Sequence, residues 1–282
     1  MRDETRARLD EFFRCFRGAA HPILLLDYDG TLAPFRVDRY KAQPWAGVRD
    51  LLNQIQSQRK TRMVVVTGRP AQEIPPLLRV DPQPEIWGLH GAERLHPDGH
   101  LERESFSPQT RAKLSALGAQ LKLDPMGGLV EEKPNAVVMH WRGVAPDRAK
   151  AIEKRTRALF EAAARNNGLN LLEFEAGLEL RAGRDKGGAI TAILGALSPT
   201  RDEARKPAPH PAAYLGDDLT DESAFHAIKG RGLGVLVRRS PRVTAADLWL
   251  RPPVDLRIFL TMWLQACAHL QSNVYDPLLH SR

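Results

Sequence analysis

The sequence predicts an α/β protein, a doubly wound parallel sheet with a smaller α+β unit inserted into it. Three observations carry that expectation. Short, near-continuous apolar runs alternate with segments of helical periodicity, as in a sheet covered on both faces. In the middle of the chain the order changes to helix, strand, strand, helix, strand, strand, which describes a separate unit. Polar residues gather at the carboxyl ends of the apolar runs, where doubly wound sheets bind ligands. At 282 residues the chain is long enough for one large core and a second, smaller unit.

The first 20 residues mix charges with a short apolar face and lack a continuous hydrophobic centre, so no secretory signal is expected. "PILLLDYD" (22–29) is the first strand. A helix follows in "WAGVRDLLNQIQSQRK", with Val48, Leu51, Leu52 and Ile55 at helical spacing. "RMVVVTG" (62–68) and "EIWGLHG" (85–91) are the next strands, separated by proline-rich "PPLLRVDPQP", which reads as a loop.

The inserted unit is placed at 106–180. "SPQTRAKLSALGAQLKL" and "DRAKAIEKRTRALFEAAARNN" are its helices. "GLVEEKPNAVVMHWRG" gives two strands around a Lys133-Pro134-Asn135 turn, and "LNLLEFEAGLELRA" two more turning at Ala176-Gly177.

The core, 1–105 and 181–282, resumes with the helix "KGGAITAILGAL" and a loop in "ARKPAPHPAA". It continues with the strand "AAYLGDD", the helix "TDESAFHAIKG", and the strands "LGVLV" and "DLWL". "PVDLRIFLTMWLQACAHL" is an amphipathic helix expected to pack on the core, with a loose tail after it.

With 41 Lys and Arg against 34 Asp and Glu, the net charge is +7, but no basic run suggests nucleic-acid binding. No segment approaches the roughly 20 apolar residues of a membrane span. A soluble cytoplasmic protein, a monomer without nucleic-acid or membrane partners, is the expectation. Cys15 and Cys267 form no metal-type pair and are expected as buried thiols in a reducing compartment.

Alternate residues of a strand point the same way, roughly 6–7 Å apart, so Asp27 and Asp29 are expected to face one pocket. Side by side and ionised they repel, which calls for a cation or a proton. Thr67 ends the second strand, Lys186 opens the helix after the insertion, and Asp217, Asp218 and Asp221 follow a later strand. Singly, each has a structural explanation: Thr67 as turn chemistry, Lys186 as a solvated lysine, Asp218 or Asp221 as a helix cap. The Asp27-Tyr28-Asp29-Gly30 run does not open a calcium loop, since its glycine comes two positions early and a strand precedes it. "GRGLGV" leads into a strand and so fails as a dinucleotide loop.

Together, these groups suit phosphoryl transfer from a phosphate monoester. A carboxylate approaching a phosphate at 4 Å meets repulsion of about 4 kcal/mol at an effective dielectric near 20, so cations must offset it. Mg2+ uses one or two carboxylates with phosphate and water, and Asp27 and Asp217 can supply them. Lys186 can neutralise nucleophile and phosphoryl group, while Thr67 and the N–H groups near Asp29 and Gly30 can donate to phosphate oxygens. Asp29 can protonate the leaving oxygen and deprotonate the attacking water.

"DYDGT", "VVVTG", Lys186 and "GDDLTD" resemble, in order, the four motifs of the haloacid dehalogenase superfamily, and the insertion resembles its larger cap class. More narrowly, "LLLDYDGTLAP", "GLHGAE", "EEKPNAVVMHWR", "ELRAGRDKGGAI" and "YLGDDLTDESAF" resemble the trehalose-6-phosphate phosphatases. The resemblance implies hydrolysis of trehalose 6-phosphate, with Asp27 as nucleophile, Asp29 as general acid/base, and Thr67 and Lys186 holding the phosphoryl group. Gly30, Thr31, Gly68 and Arg69 would face the substrate from the same motifs. Asp217 would complete the magnesium site with Asp27 and the Asp29 carbonyl, supported by Asp218 and Asp221. Glu131, Lys133, His140, Arg142, Glu179 and Arg181 would face the sugar. Trp141 and Ala182 stand where that family often has Tyr and Pro, and Thr67 replaces its common serine. A phosphatase for sucrose or glucosylglycerol phosphate, or a non-catalytic sugar-phosphate sensor, remain the alternatives.

Overall fold

The computed structural model describes residues 3–16, 22–36, 38–123, 127–165, 168–196 and 211–268. The chain opens with α1 (Asp3–Arg14) and the apolar β1 (Ile23–Leu26), followed by α2 (Val48–Ser57) and β2 (Arg62–Val66). Next come α3 (Ile74–Leu78) and β3 (Glu85–Gly88), then a short hairpin of β4 (Glu93–Leu95) and β5 (Leu101–Arg103).

The middle of the chain holds α4 (Pro108–Lys122), β6 (Val130–Lys133), β7 (Ala136–His140), α5 (Pro146–Ala164), β8 (Leu169–Phe174) and β9 (Gly177–Ala182). The remainder is α6 (Lys186–Gly195), β10 (Ala212–Gly216), α7 (Glu222–Ile228), β11 (Leu233–Val237), β12 (Leu248–Leu250) and α8 (Val254–Ala268).

The large sheet has the order β12-β11-β10-β1-β2-β3-β4-β5, and its first six strands run parallel. Alternation divides each parallel strand between two cores. Leu24, Leu26, Val65 and Leu215 face α1, α2, α3 and α8, while Leu25, Val64, Val66 and Tyr214 face α6 and α7. The expected doubly wound sheet is therefore present, with β1 at its centre. The second sheet, β6-β7-β9-β8, is antiparallel. Its Val137, Met139, Leu178 and Leu180 pack under α4 and α5, and the opposite face is left for polar residues.

Several local expectations are corrected. "PPLLRVDPQP" is not all loop: Pro75 and Pro76 occupy the first turn of α3, where the missing N–H costs nothing, and Leu77 and Leu78 are buried. The β4–β5 hairpin, too short and polar to stand out by periodicity, extends the sheet beyond β3. Lys133 pairs with Ala136 and Phe174 with Gly177, so the two turns are Pro134-Asn135 and Glu175-Ala176, each displaced from the expected position. The ladder of β8 and β9 continues to Leu169 and Ala182, so the antiparallel sheet runs past residue 180. Cys15 is exposed rather than buried, because Phe12, Phe13 and Phe16 occupy the side of the chain that meets Trp263; Cys267 is buried. The loop expected before β10 lies largely, and the tail after α8 almost wholly, outside the described residues. Among the described residues no helix is long and apolar enough to cross a membrane.

Phe259 of α8 is fully buried between the rings of Phe13 and Trp263, and it joins α1 to the sheet. Phe259→Ala should lower unfolding stability by about 3–5 kcal/mol, read from the urea midpoint, because the rings around it cannot collapse into the cavity.

Candidate functional site

The carboxyl ends of β1, β2 and β10, the first turn of α6 and the polar face of the antiparallel sheet enclose one cavity of about 440 Å³. Asp27, Asp29, Thr67, Gly68, Lys186 and Asp217 line it from the large sheet. Glu131, Lys133, His140, Arg142 and Glu179 line it from the small one. Strand alternation produces this division: Glu131 and Lys133 on β6, His140 on β7 and Glu179 on β9 point away from the helices over that sheet.

Lys186 is the electrostatic centre. It sits in the first turn of α6, where the helix dipole disfavours a cation, yet it is buried. Its Nζ donates to Asp27 Oδ1 at 2.7 Å and to Asp221 Oδ1 at 2.5 Å. Burial disfavours its charged form, but Asp221 and Asp27 together push its pKa well above the ordinary range. Asp221 also accepts from the Tyr214 hydroxyl and, through Oδ2, from the N–H groups of Asp217 and Asp218 at 2.9 Å. Burial opposes its ionisation, but Lys186 and Tyr214 hold its carboxyl below the usual value.

Carboxylates outnumber ammonium groups here. Burial raises the Asp27 carboxyl above its usual range, with Lys186 opposing and Asp221 adding to the rise. Asp217 is raised well above its usual value, by burial first and then by Asp27 and Asp221. Asp27 Oδ2 and Asp217 Oδ1 are buried without hydrogen-bond partners. Carboxylate oxygens of Asp27, Asp217 and Asp221 lie within 4.8 Å of one another. Unpartnered buried carboxyl oxygens at this spacing fit a hard divalent cation. Gly30 keeps the site open: its φ is +86°, and a Cβ there would lie 2.0 Å from Asp217 Oδ2.

Of four further expected residues, Arg181 and Thr31 stand off the cavity wall, while Arg69 and Asp218 border it with their polar groups committed to other partners. Arg69 borders the cavity but spends its fork on Asp29, with Nε to Oδ2 at 2.6 Å and Nη2 to Oδ1 at 2.7 Å. Arg181 is wholly buried and donates to the Leu89 carbonyl at 2.6 Å instead of facing a sugar. Thr31 is also wholly buried. Asp218 lines the cavity, yet its carboxylate caps the turn at Leu219 and accepts from the Glu175 N–H at 3.2 Å. The Glu175 carboxylate in turn takes Arg238, which also reaches the Asp217 carbonyl at 3.4 Å.

Arg39 and His90 were not anticipated. Arg39 joins Glu131 of the small sheet, at 2.9 Å, to Glu73 of the large unit, at 2.6 Å. In the sequence it is one charge in a mixed loop, with no periodicity to mark it. His90 lies in "GLHGAE" and is legible only as part of that string. On the small sheet, Lys133 pairs with Glu179 at 2.8 Å, and His140 with Glu131 at 2.9 Å. The Arg142 guanidinium stacks 4.7 Å from the centre of the Phe35 ring.

The His140 hydrogen bond leads the causes that bring the Glu131 carboxyl from its ordinary 4.5 down to about 2, with burial opposing. A depressed carboxyl contributes stability that is complete above pH 4.5 and is lost as pH falls through about 2. Glu131→Gln should therefore cost on the order of 1 kcal/mol near pH 6, a value held down by solvent access to the pair. In melting curves of both proteins the gap should narrow steadily below pH 4.5; a gap constant with pH would remove this account.

The trehalose-phosphatase family model matches residues 25–248. The trehalose-phosphate phosphatase of Mycobacterium marinum is 31% identical over 249 residues, covering 84% of this chain and 60% of that protein. An uncharacterized glycosyl hydrolase of Mycobacterium tuberculosis is 32% identical over 271 residues, 91% of this chain but 19% of that one. The chain thus spans less than two thirds of the length of these relatives. The C-terminal domain of Candida albicans trehalose-6-phosphate phosphatase shares the fold, with a TM-score of 0.75 at 20% identity over 92% of this chain and 96% of that one. With the family match running from the first strand to the last, the chain belongs to the trehalose-phosphatase family.

Proposed function

We propose that this protein hydrolyses trehalose 6-phosphate to trehalose and phosphate, with Asp27 as the nucleophile. One observation carries the reading. A single cavity joins the Asp27, Lys186 and Asp217 group to the hydrogen-bonding face of Glu131, Lys133, His140 and Glu179. The first end suits a phosphoryl group and the second a polyol, whose hydroxyls such side chains select by leaving the wrong ligand's partners unsatisfied.

The unpartnered oxygens of Asp27 and Asp217 fit magnesium, which those residues and the Asp29 main chain would hold. Asp221 supports from behind, since both its oxygens are already bonded. When bound, the ion would supply positive charge that offsets the repulsion between carboxylate and phosphate.

The chain's own groups perform the transfer. One oxygen of the Asp27 carboxylate attacks phosphorus and the bond from phosphorus to the sugar oxygen breaks, giving an aspartyl phosphate. Lys186, bonded to the Asp27 carboxylate, offsets charge as it moves. Thr67, at the end of β2, and the N–H groups after Asp27 donate to phosphoryl oxygens. Asp29 protonates the leaving sugar oxygen, then takes a proton from the water that releases phosphate from Asp27. It must first exchange its bidentate pair with Arg69 for that oxygen, so substrate entry and release of Asp29 are linked.

Phosphate release from a panel of trehalose, sucrose and glucosylglycerol phosphates tests the reading, with magnesium and with a chelator. Trehalose 6-phosphate should lead the panel, the chelator should abolish turnover, and Asp27→Asn should lower kcat by more than about 10³-fold. Comparable turnover across the panel would favour a phosphatase for another sugar, and binding without turnover a sensor. Gly30→Ala should push Asp217 aside, lowering kcat at least about tenfold and raising the magnesium concentration needed for half-maximal rate.

A further inference from the structure

Leu89 and His90 are left-handed, with φ of 48° and 56°, although neither is glycine. Such backbone is strained and persists only where its surroundings enforce it. Here three hydrogen bonds do so. The Leu89 N–H donates to the Arg69 carbonyl and the His90 N–H to the Thr67 carbonyl, each at 2.8 Å. From the small sheet, Arg181 Nη2 grips the Leu89 carbonyl at 2.6 Å. The kink is thus clamped between the loop that ends β2 and strand β9.

The kink presents the His90 imidazole to the cavity. The residue is 7% exposed, and its Nε2 edge lies over Gly68, where a Cβ would come within 2.8 Å of it. On its other side, Nε2 is 3.8 Å from Glu179 Oε2, beyond hydrogen-bond reach. Nδ1 is buried and has no partner. A buried polar atom left unpaired is costly, so the protein maintains both strain and an unsatisfied ring nitrogen at this position. Burial takes the imidazole pKa down to about 4, outweighing the neighbouring Glu179, and the ring is uncharged at neutral pH. An uncharged ring with one donor and one acceptor suits a hydroxyl better than a phosphate. Its place between Gly68 and Glu179 is the junction of the phosphoryl and sugar ends.

We propose that His90 is a specificity-determining residue, its neutral ring hydrogen-bonding a hydroxyl of the sugar next to the phosphoester. The inference rests on the function proposed above. It is tested by the ratio of kcat/KM for trehalose 6-phosphate to that for p-nitrophenyl phosphate, an ester without a sugar. Glycine accepts the left-handed backbone, so His90→Gly removes the ring without adding strain, and its melting temperature should not fall. The ratio should fall about tenfold, the worth of one neutral hydrogen bond, and most of the loss should appear in KM. His90→Asn tolerates the same backbone and keeps a donor and an acceptor, so it should recover part of the ratio.

A His90→Gly ratio within about twofold of the natural protein's, or equal losses on both esters, overturns the inference. A natural protein that prefers another sugar phosphate overturns the substrate proposed above but not the role of His90, which is then read on that ester. A natural protein that turns over no sugar ester overturns both.

Discussion

One buried ammonium group between two carboxylates organises this molecule. Lys186 reaches Asp27 at the end of the central strand and Asp221 after β10, so three segments far apart in the chain meet at one charge. Removing any partner would leave an uncompensated buried ion, which costs several kcal/mol. Asp217 adds a further carboxyl that no side chain neutralises, and burial with its acidic neighbours disfavours its ionisation. A stable fold and an unmet demand for positive charge are therefore the same feature seen from two sides.

The parallel strands supply the precision that this charge needs. Asp27 follows β1, which is bonded on both sides, so its position is fixed by two ladders rather than by a loop. The flap after it is held by the Gly30 N–H on the Ala33 carbonyl at 2.7 Å and by the Tyr28 hydroxyl on the Ala42 carbonyl, also at 2.7 Å. The insertion contributes differently. Its helices bury one face of a small antiparallel sheet, and the face left over becomes the second wall of the cavity.

Much of this was legible in the sequence because two periodicities are strong. The apolar runs of the parallel strands and the alternation in "EEKPNAVVMHWR" locate the sheets and the cavity-facing side chains without any tertiary information. Asp27, Thr67, Lys186 and Asp217 stood out as polar residues at strand ends or a helix start. Pairings between residues distant in sequence were not legible. Arg69 and Arg181 carry the charge expected of a ligand-binding residue, and only the folded chain shows that one is committed to Asp29 and the other to the Leu89 carbonyl. Arg39 and His90 lacked a local signal for the same reason: their partners are brought to them by the fold.

The turn between β8 and β9 touches the large unit one residue away from Asp217. Its Glu175 is tied to Asp218, 43 positions later, and through Arg238 to the carbonyl of Asp217 itself. Any outward swing of the small sheet must sever these ties before it opens the cleft, at the loop that bears an anion of the pocket. Opening of the cleft and the placement of Asp217 would then draw on the same few contacts.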